Sequence, residues 1–182
     1  MKYLSLFAFL ILSIGVAQHQ HQHQEGHTHS APTDGAASAY IEQANSPIAG
    51  LSQPEINDLL AGRGMGFART AELTSYPGPT HLLELQTQLR LSAQQIEGIE
   101  TIKQDMQRNA QALGERIVAA ERVLSTAFRT GTITDTELTA QTAELATLYG
   151  ELRAVHLSAH LKVTPLLSEQ QILRYDELRG YR

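Results

Sequence analysis

The chain has 182 residues, a formal net charge of −5, no cysteine, no tryptophan and only 5% aromatic residues. Net acidity without a basic run excludes nucleic acid as a partner, and the missing thiols exclude disulfides, thiolate metal sites and a lipidated-cysteine anchor. The scarcity of aromatics argues against a large aromatic-lined pocket, while the abundance of Leu, Ile, Ala, Glu and Gln suits one domain of packed helices with extensions.

Residues 1–17 read as a cleaved secretory signal. Lys2 supplies the charged start, Leu4 to Ile14 an apolar stretch too short for a comfortable membrane span, and Gly15-Val16-Ala17 the small residues a signal peptidase needs. Cleavage after Ala17 implies a periplasmic protein beginning at Gln18; losing Lys2 takes its net charge from −5 to −6. Residues 18–47 are a polar tail, expected to be disordered, in which His19, His21, His23, His27 and His29 are interspersed with Gln, Glu, Gly and Thr.

Residues 48–79 hold a short helix, expected at about 52–61, and a loop rich in Gly and Pro. Gly62, Gly64 and Gly66 open that loop, which passes Met65 and Phe67 to reach Tyr76-Pro77-Gly78-Pro79. Residues 80–182 form the main helical domain. Its first helix is expected at about 80–90, with Leu82, Leu83, Leu85 and Leu89 as the apolar face. A long helix at about 93–129 carries Ile96, Ile99, Met106, Ala110, Leu113, Ile117, Ala120, Leu124 and Phe128 in one stripe. Gly131 stands where a left-handed C-terminal cap belongs. A return helix at about 135–163 carries Leu138, Leu145, Leu148, Leu152, Val155, Ala159 and Val163. Pro165 ends it, and a last helix runs from Ser168 to about Leu178.

Four helix starts share one design. Leu91-Ser92-Ala93-Gln94-Gln95-Ile96 recurs as Leu167-Ser168-Glu169-Gln170-Gln171-Ile172. In each, the serine can cap the helix, the glutamine can reach back to the serine N–H, and the flanking Leu and Ile can clasp as a hydrophobic staple. Leu51-Ser52-Gln53-Pro54-Glu55-Ile56 and Ile133-Thr134-Asp135-Thr136-Glu137-Leu138 repeat the pattern with glutamate. The connection between the two long helices is short, so they must be antiparallel neighbours. The expected fold is all-α: a long antiparallel helical hairpin with short flanking helices. The helix holding His81 and the helix after Ser168 flank the hairpin's open end. A lone hairpin has little core, and dimerisation through it is the expected remedy.

The paired Leu-Ser-x-x-Gln segments resemble the Leu-Thr-x-x-Gln motifs of the Spy/CpxP family of periplasmic stress proteins. Serine replaces threonine in both copies, which keeps the capping hydroxyl. The match covers roughly residues 80–182, on Leu91, Ser92, Gln95, Leu167, Ser168 and Gln171. The runs Gly64-Met65-Gly66-Phe67-Ala68, Ala71-Glu72-Leu73, Tyr76-Pro77-Gly78-Pro79 and Arg174-Tyr175-Asp176-Glu177-Leu178-Arg179-Gly180-Tyr181 look like the family's heavy-metal sensor-like subgroup. The resemblance implies a cradle-shaped all-α dimer without catalytic activity. Its relatives include ATP-independent refolding chaperones and metal sensors of the CnrX and ZraP type. In those sensors histidines and a carboxylate hold the metal, with a methionine in some. No methionine stands at the corresponding spacing here, so no ligand is carried over.

His156-x-x-x-His160 is the sharpest local constellation. Two imidazoles at i and i+4 share a helix face and can meet one metal ion. His81 and Glu84 lie on the short helix flanking the same end, and the four together make a possible site. Without sulfur it would favour Zn(II), Ni(II), Co(II) or Cu(II) over Cu(I). The competing reading is that His156 and His160 only hydrogen-bond at a crowded helix end. The five tail histidines can chelate the same ions loosely, because the chain must order on binding. Gly62-x-Gly64-x-Gly66 lacks a preceding strand and a Lys-Ser/Thr pair, so a flexible loop is expected rather than a nucleotide site. Glu97, Glu100, Glu115-Arg116 and Glu121-Arg122 read as a solvated face. No Ser/His/Asp order or carboxylate pair points to an enzyme, and no organic cofactor is expected.

Three functions fit: a periplasmic metal-binding protein of the sensor or resistance type, a holdase chaperone for unfolded clients, and an adaptor docking on a membrane-bound stress sensor. The net acidity weakens the second, since such a chaperone is expected to present a basic concave face.

Overall fold

All four capping boxes form. Ser52, Ser92, Thr134 and Ser168 each accept from the backbone N–H three residues on, and Glu55, Gln95, Glu137 and Gln171 each accept the cap N–H in return. In the computed structural model, which describes Tyr40 and residues 46–182, the helices are α1 (Gln53–Leu60), α2 (Arg69–Glu72), α3 (Pro79–Glu84), α4 (Ala93–Thr130), α5 (Asp135–Val163) and α6 (Glu169–Arg179). A 3-10 turn at Thr164–Leu166 joins the last two. The expected signal segment and the tail's His19, His21, His23, His27 and His29 lie outside the described residues. Among the described residues there is no strand, and no helix is long and apolar enough to cross a membrane.

The helix ends use left-handed residues. Gly131 has φ 66°, and the Thr132 N–H beyond it closes onto the Ala127 carbonyl at 3.0 Å. Arg90 does the same work without being glycine, at φ 50°, with the Leu91 N–H donating to the Gln86 carbonyl at 3.0 Å. This junction corrects the helix expected to reach residue 90. The α-helix stops at Glu84 and the chain continues in turns, because it must reverse in time to present Leu91 and Ser92 to α4.

α4 and α5 pack along each other. Arg116 pairs with Glu151 at 3.4 Å and the Tyr149 hydroxyl donates to Glu121 at 3.4 Å, so numbering rises on one helix as it falls on the other. Glu121 is therefore not purely solvated. It is half-buried, burial raises its pKa against the opposing Tyr149 hydrogen bond, and Tyr149 is pushed up to about 12 by burial and by Glu121. Phe128, expected on the buried stripe, is 57% exposed and belongs to neither apolar cluster.

Two apolar clusters hold the chain. In the first, Ile48, Leu51, Ile56 and Leu59 lie on Ala110, Leu113, Ile117 and Val118 of α4 and Leu148 and Leu152 of α5. In the second, Leu82, Leu89, Ile99, Val163 and Tyr175 bring α3, α4, α5 and α6 together at the other end. Each large apolar side chain so buried contributes about 1.5–3 kcal/mol relative to exposure. Between α1 and α4 the approach is so close that a Cβ at Gly114 would stand 2.0 Å from the Leu59 carbonyl oxygen.

The repeated motif owes its glutamines to more than capping. Gln95 Nε2 donates to Gln171 Oε1 at 2.9 Å, and Gln171 Nε2 donates to Gln95 Oε1 at 3.1 Å. Each amide also serves a loop: Gln95 Nε2 donates to the Leu166 carbonyl at 2.7 Å and Gln171 Nε2 to the Leu89 carbonyl at 3.3 Å. A glutamate could close each capping box, as Glu55 and Glu137 do, but a carboxylate has no N–H to give. The motif thus ties the start of α4 to the start of α6.

Two outcomes are expected. Gly114→Ala gains about 1 kcal/mol of helix propensity but drives a methyl into backbone, so chemical denaturation should show a net loss of at least about 1–3 kcal/mol. Gln95→Glu and Gln171→Glu should each cost about 1–2 kcal/mol, and a double-mutant cycle should return a coupling of about 0.5–1.5 kcal/mol. Additive losses would mean that the two amides act only as caps.

Candidate functional site

The loop between α1 and α3 is pinned rather than flexible. Phe67 stacks on His156, with ring centroids 6.1 Å apart and planes 15° from parallel. The Ser75 hydroxyl donates to Asp176 Oδ2 at 2.6 Å, and His160 Nδ1 donates to the Tyr76 carbonyl at 2.7 Å. Pro77, Gly78 and Pro79 are buried. Gly78 is required for room: a Cβ there would stand 2.9 Å from His160 Cε1 and 3.3 Å from Glu72 Oε2.

Glu72, at the end of α2, is the centre of this region. Its Oε1 accepts from the Tyr175 hydroxyl, from His81 Nδ1 at 3.0 Å and from the Tyr181 hydroxyl at 3.1 Å, with Arg179 Nε at 3.4 Å. Its Oε2 lies 3.9 Å from His160 Nδ1, too far for a hydrogen bond. Burial alone pushes the carboxyl up. The Tyr175 hydroxyl, His81, the Tyr181 hydroxyl and His160 outweigh it, and the group titrates below its usual range. Burial and the adjacent carboxylate push Tyr175 far up, so the phenol stays neutral and donates.

The three described histidines around this centre line one cavity of about 530 Å³, with Glu72, Met65 and Met106 also in its wall. His160 and His81 each turn Nδ1 toward an oxygen, the Tyr76 carbonyl and the Glu72 carboxylate respectively. The proton must sit on that nitrogen to donate, which leaves the Nε2 lone pair of a neutral ring free. His156 is 3% exposed, and its Nε2 is buried with no hydrogen-bond partner. Burial, and secondarily His160, lowers its pKa and keeps it neutral. In metal sites the ligating imidazole commonly has its other nitrogen held by an oxygen, and His81 and His160 have that geometry.

His81, His156 and His160 are thus brought to one place. Glu84 is not: it is exposed on α3, and the carboxylate that meets His81 is Glu72. Glu84 turns to solvent, while the end of α2 brings Glu72 to His81. The donors suit a transition metal in kind. They do not yet surround one point, and among the described residues no group of three or more His, Asp or Glu side chains is arranged to hold an ion. Leu91, Ser92, Gln95, Leu167, Ser168 and Gln171 serve the helix junction described above. Glu72, Tyr175, Tyr181, Met65 and Met106 went unassigned in the sequence. A usable signal was the length of the segment from Gly62 to Gly78, since loops longer than about 12–15 residues are commonly functional.

No protein-family model, curated protein or solved structure matches this chain. The resemblance to periplasmic stress proteins therefore rests on the motif residues alone.

Tyr175→Phe removes a donor to a buried carboxylate and should cost about 1.5–3 kcal/mol at pH 7. A carboxylate with a depressed folded-state pKa stabilises fully above its unfolded pKa and loses that contribution as pH falls through the folded value. The gap between the variant and the parent chain, read by denaturant melts, should be full above about pH 5 and shrink at lower pH. A gap independent of pH would assign Tyr175 to packing alone.

Proposed function

We propose that this is a non-enzymatic, exported metal-binding protein of the heavy-metal sensor or resistance type, taking a divalent transition metal through His81, His156 and His160. The observation that carries the reading is the orphaned Nε2 of His156. A buried polar atom without a partner costs about 1–3 kcal/mol, and a ligand that uses the nitrogen gives a reason to keep it. The role of Glu72 is to hold His81 in the tautomer that frees Nε2, and the Tyr76 carbonyl does the same for His160. A metal would draw three side chains together from the α2–α3 region and α5, tightening the pinned loop. The finer architecture, a hairpin cradle that dimerises along α4 and α5, belongs to the same proposal.

A second reading, a holdase for unfolded proteins, is favoured by one observation. Val123, Phe128 and Leu161 are 56%, 57% and 60% exposed on the long helices, where adaptable apolar contacts to a client are possible.

The test uses the full chain with the five tail histidines replaced by glutamine, so that only the folded region can respond. Saturation with Zn(II), Ni(II), Co(II) or Cu(II) at about 100 times Kd should stabilise it by about 2.7 kcal/mol, seen as a rise of several degrees in Tm. His156→Phe keeps the stack on Phe67 and removes the orphaned nitrogen. Its metal-free form should be no less stable than the parent, and its metal response should disappear. No response of the parent to any of the four ions would remove divalent-metal binding from the folded region and leave the holdase reading in front.

A further inference from the structure

We infer that the cavity is a site for copper(I), with the thioether sulfurs of Met65 and Met106 joining the histidine nitrogens as ligands; this rests on the metal-binding reading above.

The chain has three methionines, and Met1 is the first of them. Both of the others line the one cavity that His81, His156 and His160 share, although one sits in the α1–α3 loop and the other on α4. Packing explains neither. Met106 occupies a position on the apolar stripe of α4 yet joins neither apolar cluster. Met65 is 39% exposed and also lies outside both.

Met65 also bears backbone strain. It stands at φ 43° between Gly64 and Gly66, in the left-handed region where glycine is the ordinary choice. Side chains rarely adopt this conformation, and strain of this kind gathers at ligand clamps. The flanking glycines make the turn, and the methionine between them lines the cavity.

The donor set then decides the metal. Thioether and imidazole together suit Cu(I), whereas Zn(II), Ni(II) and Co(II) gain little from a thioether. With no cysteine in the chain, Met65 and Met106 are the sulfur donors at hand. This revises the expectation of a sulfur-free site that disfavours Cu(I), because 41 residues of separation hid the pair from any spacing rule.

The experiment again uses the full chain with the tail histidines replaced by glutamine. Cu(I) is supplied anaerobically with ascorbate and titrated against a chromophoric Cu(I) chelator, while Zn(II) and Ni(II) are titrated in parallel. Met65→Leu and Met106→Leu preserve bulk and apolarity. Each is expected to weaken Cu(I) by about ten- to a hundredfold, the scale on which even outer partners of a metal site act, with Zn(II) and Ni(II) affinities unchanged. X-ray absorption of the Cu(I) form should show sulfur scattering that weakens in each variant. Cu(I) binding that is indifferent to both substitutions, or a copper shell without sulfur, would overturn the inference and leave the histidine site standing. No response to any of the metals would overturn both.

Discussion

A buried carboxylate needs donors to stay charged, and Glu72 imposes that constraint on the whole functional end of the molecule. Its partners arrive from places distant in sequence: His81 from α3, Tyr175 and Arg179 from α6, and Tyr181 from beyond it. Satisfying one carboxyl group therefore fixes where the C-terminal helix sits against the α2–α3 region. The same bonds orient His81, and the loop that carries Glu72 supplies the carbonyl that orients His160. Structure and site share one set of hydrogen bonds.

The second constraint is the amide pair at the start of α4 and α6. Capping is a local need that glutamate or glutamine can meet. Pairing two caps across 76 residues of sequence needs groups that donate and accept at once, and only the amide does. This separates the Gln-bearing motifs from the Glu-bearing ones. α1 and α5 start at places with no second cap to meet, whereas α4 and α6 start side by side. Serine or threonine serves the cap equally well, since both carry the accepting hydroxyl.

Departures from this frame occur at Gln141, Asp176, Ser75 and Arg90, but three others share one wall. His156 has a buried nitrogen without a partner, Met65 has a left-handed backbone, and Met106 forgoes both apolar clusters. Each exception works against stability, and all three face the same cavity. Residues that break local rules without repayment in packing are the pattern expected of a binding site.

Local chemistry was legible in the sequence. Caps, staples and left-handed glycines act within five or six residues, so the starts at Ser52, Ser92, Thr134 and Ser168, the stop at Gly131 and the all-α character could be read directly. The i, i+4 spacing of His156 and His160 placed them on one face for the same reason. What could not be read is where non-adjacent groups meet. Spacing pointed to Glu84, on the same short helix as His81, and nothing local pointed to Glu72, which only the tertiary fold brings to His81. The pairing of Gln95 with Gln171, and the placing of Met65 and Met106 on one cavity, depend on how helices pack, which no periodicity encodes. The sequence by itself determined the elements and their ends, because those are settled by short-range hydrogen bonds. The tertiary structure decided the site, because burial and partnering are properties of the packed whole.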